Sequence, residues 1–285
     1  MQLEILGNWA GAPGADGACS GYLVTEGSTK LLLDCGPGVV PALQRKHRCS
    51  GLAAIFITHM HADHCLDLLT LAYRLIRFDW RFSSPRSGGE RRIPLSLPPG
   101  GKRVLGALVD ALGRPEPSRL ADPFASAFDV EEREPQGALR IGSLTLSWLP
   151  MHHPISCQGV RVQSDSGVVA YSGDTALGPE LVELASQADL LLCEATERDP
   201  QSSTVQRAGH LTAAQAGSVA RAARAQRLLL THLNRQDPEW CAALVSDALD
   251  PFVGPVAIAK AGAVYRLVQI DSARPAISGV APQPA

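Results

Sequence analysis

Three histidines and one aspartate stand within six residues of this 285-residue chain: His59, His61, Asp63 and His64 in "IFITHMHADH". Imidazole nitrogen and carboxylate oxygen in such density, with no thiolate among them, are the donors of a zinc, manganese or iron site. Like donors close other apolar runs: His153 in "LPMHHP", Asp174 in "YSGDT" and His232 in "LLLTHL". Taken singly, each histidine reads equally as a satisfied core or surface group. Taken together, seven donors exceed what one tetrahedral ion accepts and suit two ions sharing a bridging carboxylate.

Donors so far apart in the chain can meet only on a rigid rim, and strand ends supply one. "LAAIFIT" is a continuous apolar, β-branched run, the pattern of a strand covered on both faces. "CLDLLTLAYRLIRF" follows with helical spacing, so the histidine cluster falls on a strand-to-helix loop. "LEILG" and "GYLVTEGSTKLLLDCG" predict strands, the second a hairpin turning at Glu26, Gly27 and Ser28. Further strands are expected in "LRIGSLTLSWLPM", "QGVRVQSDSGVVAYSG", "ADLLLCEAT" and "RLLLTHL". "TAAQAGSVARAARAQ" reads as a helix with Thr212 as its N-cap. Residues 83–101, rich in Pro, Gly, Ser and Arg, read mainly as loop, and 102–112 as a helix. The alternation predicts a layered α/β (α+β) architecture, with residues 1–271 as one domain and 272–285 as an unstructured tail.

Composition narrows the function classes. With 45% hydrophobic and 19% charged residues the chain is of ordinary globular type. A formal net charge of −2 provides no general attraction to nucleic acid. One basic stretch runs from Arg74 to Arg103, where Arg77, Arg81, Arg86, Arg91, Arg92 and Lys102 face only Asp79 and Glu90. It reads either as a solvated surface segment or as a phosphate grip. Seven scattered cysteines without a C-x-x-C pair argue against a disulfide framework and a thiolate zinc knuckle. The start "MQLEILGNWAG" lacks a signal-peptide pattern and no window is long enough for a membrane span, so a cytoplasmic protein without a membrane partner is expected.

"THMHADH" resembles the T-H-x-H-x-D-H signature of the metallo-β-lactamase superfamily of binuclear metallohydrolases, and later family motifs follow in order. The strongest likeness is to the ribonuclease Z-like phosphodiesterase branch, which includes cyclic-nucleotide phosphodiesterases. "LEILGNWAGAP" and "LLLDCGPG" look like its opening strands, "HHPISCQGVRV" like its third motif and "YSGDT" like its fourth. "CEAT", "GHLTAAQAG" and "LLLTHL" look like its closing run, and the motifs together span residues 1–70 and 145–235.

The resemblance implies a four-layer αββα metallo-β-lactamase sandwich. It also implies two divalent ions, zinc first, with manganese or iron(II) as alternatives. One ion would take His59, His61 and His153, the other Asp63, His64 and His232, with Asp174 between them. Asp63, Glu194 and His210 would serve catalysis, His210 being oriented by Glu194 toward the scissile phosphate or the leaving oxygen. The family pattern and Pro154 favour His153 over His152, which reads as a surface group. Asp34 reads as an orienting residue, and His47 receives no role.

The expected activity is hydrolysis of a small, cyclic nucleotide-like phosphodiester by hydroxide held between the ions. Only twenty residues, 154–173, separate His153 from Asp174, too few for the arm with which tRNA-processing members grip their substrate. Asp67 also stands where that branch usually has glycine. RNA 3′-end processing, hydrolysis of lactones, esters or thioesters, and metal binding without catalysis remain alternatives. Members of the branch are often homodimers.

Overall fold

The apolar runs that end in donor residues become strands hidden on both faces. Leu190–Glu194 and Leu228–Thr231 are buried at every position, as is Ala54–Phe56, and all three pair with parallel neighbours. This computed structural model describes residues 1–80, 92–112, 122–270 and 274–280. Among them two mixed sheets pack face to face. The first has nine strands, in the order Arg274–Val280, Val264–Ile270, Gln2–Trp9, Gly21–Glu26, Thr29–Leu33, Ala54–Phe56, Ile93–Leu97 and Phe128–Glu132, with Ala18–Cys19 beside Gln2–Trp9. The second has seven: Val256–Ile258, Leu228–Thr231, Leu190–Glu194, Gly167–Tyr171, Cys157–Ser164, Leu144–Met151 and Gly137–Ile141.

Three apolar clusters make the layers. Leu3, Tyr22, Phe56, Trp148, Val160 and Tyr171 fill the space between the sheets. Outside the first sheet, helices Val39–Gln44, Asp67–Arg74 and Gly101–Leu112 bury Leu43, Leu68, Leu71 and Leu105. Outside the second, helices Pro179–Leu184, Ala213–Ala222 and Pro238–Leu249 bury Leu184, Val219 and Leu244. The result is the αββα sandwich expected from the motifs. Thr212 caps its helix as anticipated, in a reciprocal capping box with Gln215.

The segment 83–101 departs from the loop reading. Ile93–Leu97 is a strand between Ala54–Phe56 and Phe128–Glu132, with Ile93, Leu95 and Leu97 buried and Pro94 exposed. Its period-two pattern is short and flanked by Gly, Pro and Arg, so turn-forming composition masked it. Of the basic stretch, Arg81, Arg86, Glu90 and Arg91 lie outside the described residues, and Arg74 pairs with Asp79 at 2.9 Å. Within the segment read as an unstructured tail, Arg274–Val280 lies antiparallel to Val264–Ile270. No helix among the described residues is long and apolar enough to cross a membrane.

Candidate active site

Every donor singled out above stands at, or just past, the end of a strand, on the same rim of the sandwich. His59 and His61 follow Ala54–Phe56; Asp63 and His64 occupy the helical turn Ala62–Cys65 rather than an irregular loop. His153 follows Leu144–Met151, Asp174 follows Gly167–Tyr171, and His232 follows Leu228–Thr231. His232 takes φ 54° and Asp34 φ 57°, left-handed conformations that side chains rarely adopt and that often mark functional sites.

The chain brings the seven donors into two adjoining sets. His59, His61, His153 and Asp174 offer ligand atoms within 4.8 Å of one another, and so do Asp63, His64 and His232. Asp174 reaches both: its Oδ2 lies 3.5 Å from His59 Nε2 and 3.4 Å from His232 Nε2, and its Oδ1 lies 3.4 Å from His64 Nε2. His64 Nε2 and Asp174 Oδ1 are buried without a hydrogen-bond partner, a costly arrangement for atoms that have no cation to bind. These residues therefore fit divalent ions.

The far side of three of these imidazoles is held by a second group, which selects the nitrogen turned inward. His64 Nδ1 lies 2.8 Å from Asp34 Oδ2, His232 Nδ1 3.0 Å from the Thr196 hydroxyl, and His153 Nδ1 3.2 Å from the Gly209 carbonyl. Asp34 also accepts from Thr58 N, the Thr58 hydroxyl and Tyr171 OH, which makes it the orienting carboxylate expected. His61 differs in presenting Nδ1, 3.1 Å from His59 Nε2 and 3.2 Å from His153 Nε2. Asp63 Oδ2 receives the Gly11 amide at 2.7 Å and lies 3.2 Å from His232 Nε2.

Electrostatics agree with the donor chemistry. Burial holds the pKa values of His59, His61 and His153 below the ordinary range, so these rings are neutral donors. Burial alone would raise Asp174 and Asp63, yet the surrounding histidines outweigh it and keep both carboxylates ionised. Burial likewise opposes protonation of His64, but Asp174 and Asp34 pull its pKa well up. Ionised carboxylates deep among imidazoles make a site where a divalent cation takes the place of protons.

Glu194 and His210 form a separate pair beside these donors. Glu194 is fully buried, and its two oxygens accept from Thr175 N at 2.6 Å, the Thr196 hydroxyl at 2.9 Å and Leu211 N at 3.1 Å. Both oxygens lie 3.2 Å from His210 Nδ1. Burial works against the charged ring, but the Glu194 carboxylate outweighs it and lifts His210 to about 9. The ring stacks on His232 at 5.3 Å and borders a cavity of about 340 Å³ lined also by His61, Asp63 and Asp174.

Several contributors carried no signal in the sequence. Gly209 has φ +74°, and a Cβ there would stand 2.9 Å from the His152 carbonyl. Glycine alone lets the Gly209 carbonyl reach His153 Nδ1 while the next residue, His210, meets Glu194. Arg133 is buried between the sheets, stacked over Phe56 at 3.6 Å, and donates to Ile57 O at 2.7 Å and to Gln158 Oε1. The Gln158 backbone amide in turn donates to Thr58 O at 3.1 Å, so the Arg133 side chain and the Gln158 main chain together clamp the segment that delivers His59. Asp67, at the family's glycine position, accepts from Val40 N at 2.9 Å and ties two helices together. His152 is a surface group paired with Glu180 at 2.8 Å, and His47 is a half-buried partner of Glu4. All seven cysteines are unpaired.

Comparison with known proteins gives a consistent picture. Residues 29–233 match the Beta-lactamase superfamily domain. An uncharacterised protein of Mycobacterium tuberculosis is 34% identical over 266 residues, covering 90% of this chain and 88% of its own. The probable metallo-hydrolase YhfI of Bacillus subtilis is 30% identical over 267 residues, covering 93% and 99%. Its crystal structure superposes with a TM-score of 0.78 at 28% identity, over 92% of this chain and 98% of that one. Ribonuclease Z of Haloferax volcanii is 28% identical over 315 residues, covering 95% and 96%.

Proposed function

The chain belongs to the beta-lactamase superfamily, and within it we propose a binuclear metal-dependent phosphodiesterase acting on a small phosphodiester. The observation that carries this reading is the buried Glu194 aimed at His210, beside two donor sets that share Asp174. The name of the Haloferax relative, a ribonuclease Z, points to the same bond type.

His59, His61 and His153 would hold one ion and Asp63, His64 and His232 the other, with Asp174 reaching both; zinc suits this donor set first, then manganese or iron(II). When bound, such a pair supplies Lewis acidity and a water whose pKa is lowered to about 7. The chain's own groups do the rest. The Gly11 amide and His232 hold Asp63 in place, and Asp34 and Thr196 fix the tautomers of His64 and His232. Glu194 occupies Nδ1 of His210 and keeps the ring protonated, leaving Nε2 to protonate the leaving oxygen and offset charge on the phosphoryl group. The same pull toward the charged state makes His210 a poor metal ligand, although it lies within reach of Asp174 and His232.

A small substrate is favoured over structured RNA. The interval between His153 and Asp174 is filled by the hairpin Cys157–Ser164 and Gly167–Tyr171, joined by Asp165 and Ser166 alone. Metal-loaded protein should be assayed side by side on bis(p-nitrophenyl) phosphate, 2′,3′- and 3′,5′-cyclic nucleotides, a precursor tRNA and a lactone. Hydrolysis of small phosphodiesters is expected; turnover of the lactone with none of a phosphodiester overturns the reading.

A further inference from the structure

Beyond the donors and His210, the cavity wall includes Thr196, Glu197 and Asn234, and no lysine or arginine among the described residues. A phosphodiesterase that gripped further phosphates of its substrate would carry cations there. This wall carries a carboxylate and a carboxamide instead.

Both side chains are held by backbone already committed to the site. Glu197 lies three residues beyond Glu194 and bridges to Thr212, two residues beyond His210; its amide donates to Leu211 O and its carbonyl accepts from Ala213 N, both at 3.3 Å. Asn234 lies two residues beyond His232, and Leu233 is bonded at N and O to Asn8 and Ala10. Asn234 Nδ2 donates to Glu197 Oε1 at 3.1 Å. That bond uses one of the amide's two N–H groups, while Glu197 Oε2, which can only accept, and Asn234 Oδ1 make no hydrogen bond among the described residues. Acceptors on a cavity wall call for donors on the ligand.

Resting on the phosphodiesterase reading, we infer that Glu197 and Asn234 select a phosphodiester whose sugar bears a free hydroxyl, a ribonucleotide rather than its deoxy counterpart. The bound group must lie close to phosphorus, because Glu197 shares a cavity of about 340 Å³ with the donors. In a nucleotide the sugar hydroxyls are the hydrogen-bond donors nearest to phosphorus, whereas base amines lie several bonds farther away. The carboxylate also repels any further phosphate brought to that wall, which disfavours a polynucleotide chain.

The test compares 3′,5′-cyclic AMP with its 2′-deoxy analogue on zinc-loaded wild type, Glu197→Ala, Glu197→Gln and Asn234→Ala, with bis(p-nitrophenyl) phosphate as a probe that has no sugar. Calorimetry with the hydrolysis-resistant phosphorothioates of both nucleotides gives a second readout, independent of turnover. A hydrogen bond to a charged acceptor predicts a ribo-to-deoxy preference of about tenfold to hundredfold in kcat/KM and in Kd. The preference should collapse toward unity in Glu197→Ala, and in part in Glu197→Gln and Asn234→Ala. Equal turnover and binding of the two nucleotides by wild type, no binding of either, or a preference that survives all three substitutions overturns the inference while hydrolysis of bis(p-nitrophenyl) phosphate preserves the parent reading. Protein that binds two ions yet cleaves no phosphodiester refutes both.

Discussion

Replacing Glu194 by Gln removes one buried charge at constant volume. It takes away the charge facing His210 Nδ1 at 3.2 Å and leaves a single acceptor, so either Thr175 N or Leu211 N also loses its partner. His210 stands at about 9 against an ordinary 6.5, a difference of 9 − 6.5 = 2.5 units, although burial pulls the other way. At about 1.36 kcal/mol per unit, Glu194 therefore contributes at least about 3 kcal/mol to the protonated state. At pH 8 a group with pKa 9 is about 90% protonated and one at 6.5 about 3%, so the variant should lose about thirtyfold in rate at pH 8 and little at pH 6. Bound ions act on both proteins alike, so the displacement between the two pH–rate profiles is the quantity to measure. The basic limb should move down by at least about 2.5 units in Glu194→Gln, since burial is then unopposed by this carboxylate. A loss of the same size at every pH would refute the reasoning, since it would mean that Glu194 holds structure and not a proton. Stability supplies a second check. Because the folded pKa of His210 is raised, the pair stabilises the fold fully below about pH 6.5, and the contribution disappears as pH rises through about 9. The gap in melting temperature between wild type and variant should close over that interval.

The other predictions concern the supports of the site. His210→Ala should lower kcat by about a hundredfold to ten-thousandfold with metal content unchanged; equal losses of both would remove its role as an acid. Asp34→Asn should weaken metal binding by about tenfold to hundredfold, read by competition with a chelating dye, because His64 loses the carboxylate at 2.8 Å that orients it. Gly209→Ala places a Cβ against the His152 carbonyl at φ +74° and should cost about 1–3 kcal/mol in urea unfolding together with most of the activity. Arg133→Leu leaves Ile57 O and Gln158 Oε1 without their donor and should cost about 1–3 kcal/mol at each orphaned acceptor, measured in the same way. Protein purified without chelator should hold about two divalent ions per chain by elemental analysis, and fewer than about one and a half would exclude the binuclear site.

Residue type and spacing were enough to single out the seven side chains that the fold gathers into two adjoining sets, because metal chemistry restricts the side chains that can serve and buried strands restrict where such side chains appear. The sandwich was legible for the same reason: parallel strands hidden on both faces read as unbroken apolar runs, as in Leu190–Glu194 and Leu228–Thr231. Where patterning was weak the reading failed, as at Ile93–Leu97, whose three buried positions are set among turn-forming residues. Relationships between distant segments needed the fold. Asp34 reaches His64 across thirty positions and Gly209 reaches His153 across fifty-six, and nothing in either local sequence announces the partner. Arg133 matters because the two sheets close over it, and Glu197 because its backbone is pinned beside Thr212; neither relation is written in the local sequence. Local sequence thus named the groups able to bind a metal, since that is a property of each side chain. Which atom of each faces inward, and what else faces the substrate, follows from how separate strand ends are packed onto one rim.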